Sequence, residues 1–209
     1  MANNSCSVNL TITSTYAFAT VYSMVLLVGL PLNGLSLWIL LKRHGLRTSN
    51  TVFMANLALS DLLLALSVPL RIYYYAAASW PFGATVCTVA TSLFRLNFFS
   101  SSVFITYISV DRMLAVAFPL RSHRLRTAKF AAISCVAAWL FLIALNVPGA
   151  LKLNARLRES WKGKNCFELG MDRESKASRK PDYVIPFLLT FLLLTVNVVC
   201  TATAHIVVY

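Results

Sequence analysis

Three ionisable side chains lie inside long apolar stretches of the sequence, and they are its best candidates for chemistry. Asp61 and Arg71 lie in one such stretch and Arg95 lies in the next. A charged group in apolar surroundings is costly and marks a functional site by default. The planar fork of an arginine matches the oxygens of a phosphate group. Arg71 and Arg95 are therefore candidates for binding an anionic ligand.

If each stretch is a helix that crosses a membrane, the spacing places these two arginines at a similar depth in it. With a rise of 1.5 Å per residue, Arg95 lies about 12 Å inward of Cys87, and Arg71 lies about 15 Å outward of Asp61. Two cations at this depth suit a phosphate-bearing ligand in an outer pocket. The alternatives are that each arginine pairs with an acid or a carbonyl group on another helix, or that Arg71 extends to the membrane interface.

The elements that carry these residues are apolar spans. The chain has 209 residues, 58% hydrophobic and 12% charged, with a net charge of +12. A helix needs roughly 20 apolar residues to cross a bilayer. Five stretches meet this length, at about 17–41, 52–75, 83–108, 128–150 and 183–209. Their continuous apolar character excludes the alternating strands of a barrel. The sequence therefore predicts an all-α, polytopic transmembrane helical bundle.

Composition also excludes two classes of protein. A soluble domain carries about a quarter charged residues, twice the fraction found here, and a nucleic-acid-binding protein needs a basic face on a solvated domain. The three histidines, His44, His123 and His205, have no carboxylate or cysteine at metal-binding spacing. We expect neither an enzyme nor a nucleic-acid partner.

The orientation of the spans depends on the first residues of the chain. Lysine and arginine do not decide it, because one side carries eight and the loop 151–182 on the other side carries nine. Residues 1–16 are uncharged and contain two glycosylation sequons, at Asn3 and Asn9. We therefore expect a glycosylated extracellular segment over 1–16, a transmembrane domain over 17–209, an extracellular loop over 151–182, and location in the plasma membrane.

The cysteines agree with this orientation. Cys87, at the start of the third span, and Cys166, in the loop before the fifth, would both lie outside the cell, where such a pair oxidises. We expect a disulfide that ties the loop to the helix. Cys6 is the odd cysteine in the same compartment.

Several short motifs, in order along the whole chain, resemble those of the rhodopsin-like (class A) G-protein-coupled receptors. They are Asn33 in Gly-Leu-Pro-Leu-Asn-Gly, Asp61 in Asn-Leu-Ala-Leu-Ser-Asp-Leu, the triplet Asp111-Arg112-Met113, Trp139, and the pair Cys87 and Cys166. The 24 residues from Cys87 to Asp111 match the family's third helix. The fold implied is five of the family's seven helices, because the chain ends at Tyr209. We expect either a fragment or a natural truncation.

Within that family, the sequence is most similar to the branch that binds lysophosphatidic acid and extracellular nucleotides. The similar stretches include Ser67-Val-Pro-Leu-Arg71 and Ser79-Trp80-Pro-Phe-Gly83. The resemblance implies a receptor for lysophosphatidic acid or a related phosphate-bearing lysolipid, which signals through heterotrimeric G proteins and contacts membrane lipids. The alternatives are a receptor for a nucleotide or another ligand, and a non-signalling truncated isoform that associates with the full-length receptor.

The resemblance also implies roles for individual residues. Arg112 would pair with Asp111 at rest and meet the G protein on activation, and Leu120 would insert into the same partner. Asp61 and Ser101, with Asn33 nearby, resemble the family's sodium site. The ion would be allosteric, and no other cofactor is expected.

Overall fold

Five long helices make up most of the described chain, and each is long and apolar enough to cross a membrane. The computed structural model describes residues 3–77, 79–118, 122, 126–159, 166 and 180–208, with side chains described from residue 16 in the first helix and over 188–207 in the last. The helices are α1 (Asn3–Ile39), α2 (Ser49–Ala77), α3 (Gly83–Ala117), α4 (Ala128–Glu159) and α5 (Lys180–Val208). The predicted all-helical bundle is confirmed.

The helices are longer than the spans that hydropathy delimits. α1 begins at Asn3, within the segment expected before the first span, and the part of it that suits a membrane begins at Tyr16. α4 passes through Pro148 and ends at Glu159 rather than near residue 150. Its last turns are rich in leucine, lysine, alanine and arginine, which favour helix even outside a membrane. The loop expected over 151–182 therefore begins as helix.

α3 lies at the centre of the bundle. It packs against α2, α4 and α5, while α1 packs against α2, which also contacts α4. Large apolar side chains on the outward faces of the helices are exposed, as a lipid-facing surface requires. We call the end of the bundle that carries Cys87 the outer end, and the end that carries Asp111 the inner end.

A disulfide fixes the outer end of α3. Cys87 is bonded to Cys166, with 5.7 Å between their Cα atoms, so the predicted bridge is confirmed. Trp80, in the turn before α3, packs on this disulfide together with Leu157 of α4. The indole nitrogen of Trp80 donates to the carbonyl of Gly83 at 2.8 Å. Gly83 has φ 81°, a conformation that other residues adopt only with strain.

The inner half of the bundle is held by an apolar cluster and one buried polar contact. Val52 and Phe53 of α2 pack with Phe104 of α3 and with Cys135 of α4. Beside this cluster, Nε1 of Trp139 donates to Oδ1 of Asn56 at 3.0 Å. The bond joins α4 to α2 inside the bundle, as polar side chains of membrane helices commonly do.

Replacing Trp139 by phenylalanine tests the value of this contact. The change keeps most of the ring but removes the donor, so Asn56 Oδ1 loses its partner on α4. We expect the free energy of unfolding to fall by about 1 kcal/mol and the melting temperature of the purified chain in detergent to fall by about 2–4 °C. Trp38→Phe is the control, because Trp38 is 57% exposed. An equal loss at Trp38 would contradict the assignment.

Candidate functional site

The guanidinium of Arg71 lies close to aromatic rings of α1 and α3. Arg71 is only 6% exposed. Its Cζ lies 4.2 Å from the ring centroid of Phe94 on α3 and 5.8 Å from that of Tyr22 on α1. Both distances fall within the range in which a ring face attracts a cation. Arg71 therefore lies inside the outer half of the bundle, in contact with α1 and α3.

Arg95 lies on a different side of α3, against α4. A Cβ atom added at Gly149 would lie 3.2 Å from Nη1 of Arg95, so the absence of a side chain there makes room for the guanidinium. One turn earlier, the amide of Asn146 donates to the carbonyl of Ser92 at 2.9 Å. Phe94 and Arg95 are consecutive and point about 100° apart. The two candidate arginines thus have different neighbours, Arg71 beside α1 and Arg95 beside α4.

Asp61 is joined to α3 by two hydrogen bonds. Its Oδ1 accepts from the amide of Asn97 at 3.0 Å and from the hydroxyl of Ser101 at 3.3 Å. The same amide of Asn97 donates to Ser60 at 3.1 Å, and Ser60 is bonded to Ser100. The structure thus brings together Asp61 and Ser101, as the sequence predicts.

Asn33, the third residue of the expected sodium site, has a different contact. Its amide donates to the carbonyl of Gly29, one turn earlier on α1, at 3.0 Å. No hydrogen bond between Asn33 and Asp61 occurs in the part of the chain that the structure describes. The polar group that lies against Asp61 is instead Asn97, four residues before Ser101 on the same helix face.

At the inner end, Asp111 has two partners from elements other than its own helix. It is 5% exposed. It accepts a hydrogen bond from Ser49, the first residue of α2. Nε and Nη2 of Arg126 donate to its two oxygens at 3.2 and 3.3 Å. Asp111 therefore ties α3 to α2 and to the segment that leads into α4.

The expected ion pair between Asp111 and Arg112 is wrong. Arg112 is exposed, and the salt bridge of Asp111 in the described chain is with Arg126. Consecutive residues of a helix do not face each other, so Asp111 points into the bundle while Arg112 points to solvent. Leu120 and the side chains of Asn3 and Asn9 lie outside the described residues.

The sequence of the chain is similar to those of known proteins over most of its length. Residues 32–209 match the family described as 7 transmembrane receptor (rhodopsin family). The chain belongs to this receptor family. The match covers most of the chain, and the resemblance seen in its motifs is confirmed. Rhodopsin-family proteins are receptors and are generally not enzymes.

Individual rhodopsin-family relatives are named for lipid ligands. Lysophosphatidic acid receptor 5 of Bos taurus is 39% identical over 175 residues, which are 83% of this chain and 48% of the relative. Lysophosphatidic acid receptor 6 of Gallus gallus is 38% identical over 151 residues, 72% of this chain and 49% of the relative. S-geranylgeranyl-glutathione receptor P2RY8 of Homo sapiens is 41% identical over 133 residues, 63% and 37% respectively. The chain spans about half the length of the first two of these relatives.

Sequence reasoning missed four residues of this rhodopsin-family bundle: Ser49, Phe94, Asn97 and Arg126. Asn97 carried a usable signal, because it lies one helical turn before Ser101. Arg126 was counted only as a loop cation. Ser49 and Phe94 carried no signal, since their side chains are common at a helix start and in a membrane span.

Removing the charge of Arg126 tests the inner contact of this rhodopsin-family chain. In Arg126→Gln, the buried carboxylate of Asp111 loses its cation, and we expect the free energy of unfolding to fall by about 1–3 kcal/mol. The matched control is Arg112→Gln, which we expect to change it by less than about 0.5 kcal/mol because Arg112 is exposed. Both values come from thermal unfolding of the purified chain in detergent. A larger loss in Arg112→Gln would reverse the assignment.

Proposed function

We propose that the protein is a receptor for lysophosphatidic acid or a related phosphate-bearing lysolipid. The observation that carries the proposal is the identity of 34–39% with lysophosphatidic acid receptors 4, 5 and 6, over 72–83% of this chain. The receptor would lie in the plasma membrane with its N-terminus outside the cell. Its ligand would reach it from the outer side or from the lipid.

The chemistry of the outer half supports an anionic headgroup with an apolar tail. Arg71 and Arg95 are two cations within otherwise apolar helices. A guanidinium binds a phosphate through two parallel N–H···O bonds, and apolar side chains accept an acyl chain. Because Arg71 and Arg95 have different neighbours, we expect them to contact different parts of one headgroup.

The inner end supports coupling to a heterotrimeric G protein. Arg112 is exposed there, so it can contact a partner without first leaving Asp111. Arg126 and Ser49 hold Asp111 and thereby fix the end of α3 from which Arg112 projects. In this proposal Arg112 contacts the G-protein α subunit and Leu120 supplies an apolar anchor to it.

Two other ligands would also offer a negatively charged group to the arginines, and experiment distinguishes them from lysophosphatidic acid. The name of P2RY8 as a receptor for S-geranylgeranyl-glutathione favours another anion with a lipid tail. An extracellular nucleotide would use the phosphate contacts without the tail.

The other alternative is a truncated isoform that associates with the full-length receptor. Such an isoform would lower the amount of receptor at the cell surface and give no signal of its own.

The ligand assignment is tested in cells that express the complete gene product containing this chain. We expect lysophosphatidic acid to activate a G protein, and Arg71→Ala or Arg95→Ala to weaken its potency tenfold or more, as loss of a charge-assisted bond of about 1.5–3 kcal/mol requires. Arg158→Ala, at an exposed position of α4, is the control and should change potency less than about twofold.

Two outcomes of this experiment would contradict the proposal. Unchanged potency in both arginine variants rules out the phosphate contacts. A response to a nucleotide or to S-geranylgeranyl-glutathione, without a response to lysophosphatidic acid, replaces the ligand.

We also propose that Asp61 and Ser101 bind a sodium ion that modulates the receptor. A hard cation prefers oxygen ligands, and these two side chains supply oxygens 3.3 Å apart. An ion held between α2 and α3 alters signalling to the extent that it binds one conformation better than another.

Exchanging sodium for a large organic cation at equal ionic strength tests this ion site. We expect the exchange to shift agonist affinity about fivefold or more, and Asp61→Asn or Ser101→Ala to abolish the shift. The control is Ser109→Ala, since the hydroxyl of Ser109 donates to the carbonyl of Ile105 on its own helix. A shift that persists in Asp61→Asn disproves the site.

A further inference from the structure

We propose that Phe94 and Tyr22 are positioning residues for the ligand, which hold the guanidinium of Arg71 through cation–π contacts at the place where it meets a phosphate group. The inference rests on the proposed function, because it assigns the groups that prepare Arg71 for an anionic headgroup. Neither ring was a candidate in the sequence, and neither needs to touch the ligand.

The guanidinium of Arg71 lies within cation–π distance of aromatic rings on two different helices. Its Cζ lies 4.2 Å from the centroid of Phe94 and 5.8 Å from that of Tyr22. Phe94 belongs to α3 and Tyr22 to α1, so the arginine of α2 is approached from two other helices. The shorter distance makes Phe94 the stronger of the two contacts.

Further aromatic contacts hold the ring of Tyr22 in place. Tyr22 stacks on Tyr75 with 5.7 Å between centroids and 13° between planes. Tyr75 in turn stacks on Phe18 at 5.4 Å. Because Tyr75 belongs to α2, the ring of Tyr22 beside Arg71 is packed against a second helix and not only against its own.

The physical advantage of a ring is that it holds a cation without neutralising it. A ring attracts the cation through its face and carries no formal negative charge. Contact with the rings therefore keeps the positive charge that attracts a phosphate group. Because Arg71 is 6% exposed, its long side chain is already ordered, which lowers the entropic cost of binding.

Graded fluorination of Phe94 measures this role without changing the shape of the side chain. Each fluorine withdraws negative charge from the ring face and weakens its attraction for a cation. Phenylalanine and its mono-, di- and trifluoro forms are placed at position 94 by nonsense suppression in the complete gene product. We expect the potency of lysophosphatidic acid to fall stepwise with fluorine number, by about tenfold across the series.

The matched control is the same series at Phe98, one turn inward on α3. Phe98 is 53% exposed, and its ring contact in the described chain is with Phe99. We expect the potency of lysophosphatidic acid to stay the same throughout the series at Phe98. In addition, Tyr22→Phe, which keeps the ring, should retain potency, while Tyr22→Leu should weaken it. Surface expression, measured for every variant, separates these effects from failure to fold.

Each outcome decides between the two proposals. A flat series at Phe94, with potency still lost in Arg71→Ala, overturns the positioning role and leaves the ligand assignment intact. Equal slopes at Phe94 and Phe98 overturn it as well, because the effect would not depend on Arg71. Unchanged potency in both Arg71→Ala and Arg95→Ala, together with a flat series at Phe94, removes the phosphate-binding function itself.

Discussion

The arrangement of the helices depends on the polar contacts that α3 makes with its neighbours. Lipid offers no hydrogen bonds, so a polar group inside the membrane gains one only from its own helix or from another helix. α3 makes such contacts at successive depths and with every helix it packs against. From the outer end inward, the contacts are Ser92 with Asn146 of α4, Asn97 with Asp61 of α2, Thr106 with Asn197 of α5, and Asp111 with Ser49 of α2. Dispersion holds the helices close, but these contacts set their register.

The features predicted from the sequence had different sources. Apolar length predicted the five spans, and the expected position of Cys87 and Cys166 outside the cell predicted the disulfide. The resemblance to the receptor family predicted that Asp61 lies near Ser101. Helix ends were predicted less well, because hydropathy reports the thickness of the membrane and not where hydrogen bonding stops. α4 passes through Pro148 and continues to Glu159 for that reason.

The contacts of individual side chains were the hardest feature to predict. Asp111 was assigned the nearest cation in the sequence, but a helix turns its neighbours apart, and the carboxylate reaches Arg126 instead. The surroundings of Arg71 depend on a phenylalanine and a tyrosine from two other helices, and such residues are too common in membrane spans to stand out. Pairings of this kind depend on the packing of whole helices, which no local pattern contains.

The order of the polar contacts along α3 also bears on how the protein is made. Helices enter the membrane in the order of their synthesis, so α2 arrives with Asp61 and Ser49 before α3 can meet them. Asn146 of α4 and Asn197 of α5 arrive later, when Ser92 and Thr106 are already in place. Thr106 of α3 therefore waits longest for its partner on another helix, because Asn197 follows 91 residues later in the chain, whereas Asp61 waits 36 residues for Asn97. A delay in the insertion of α5 would make α3 the segment most open to recognition by quality-control factors.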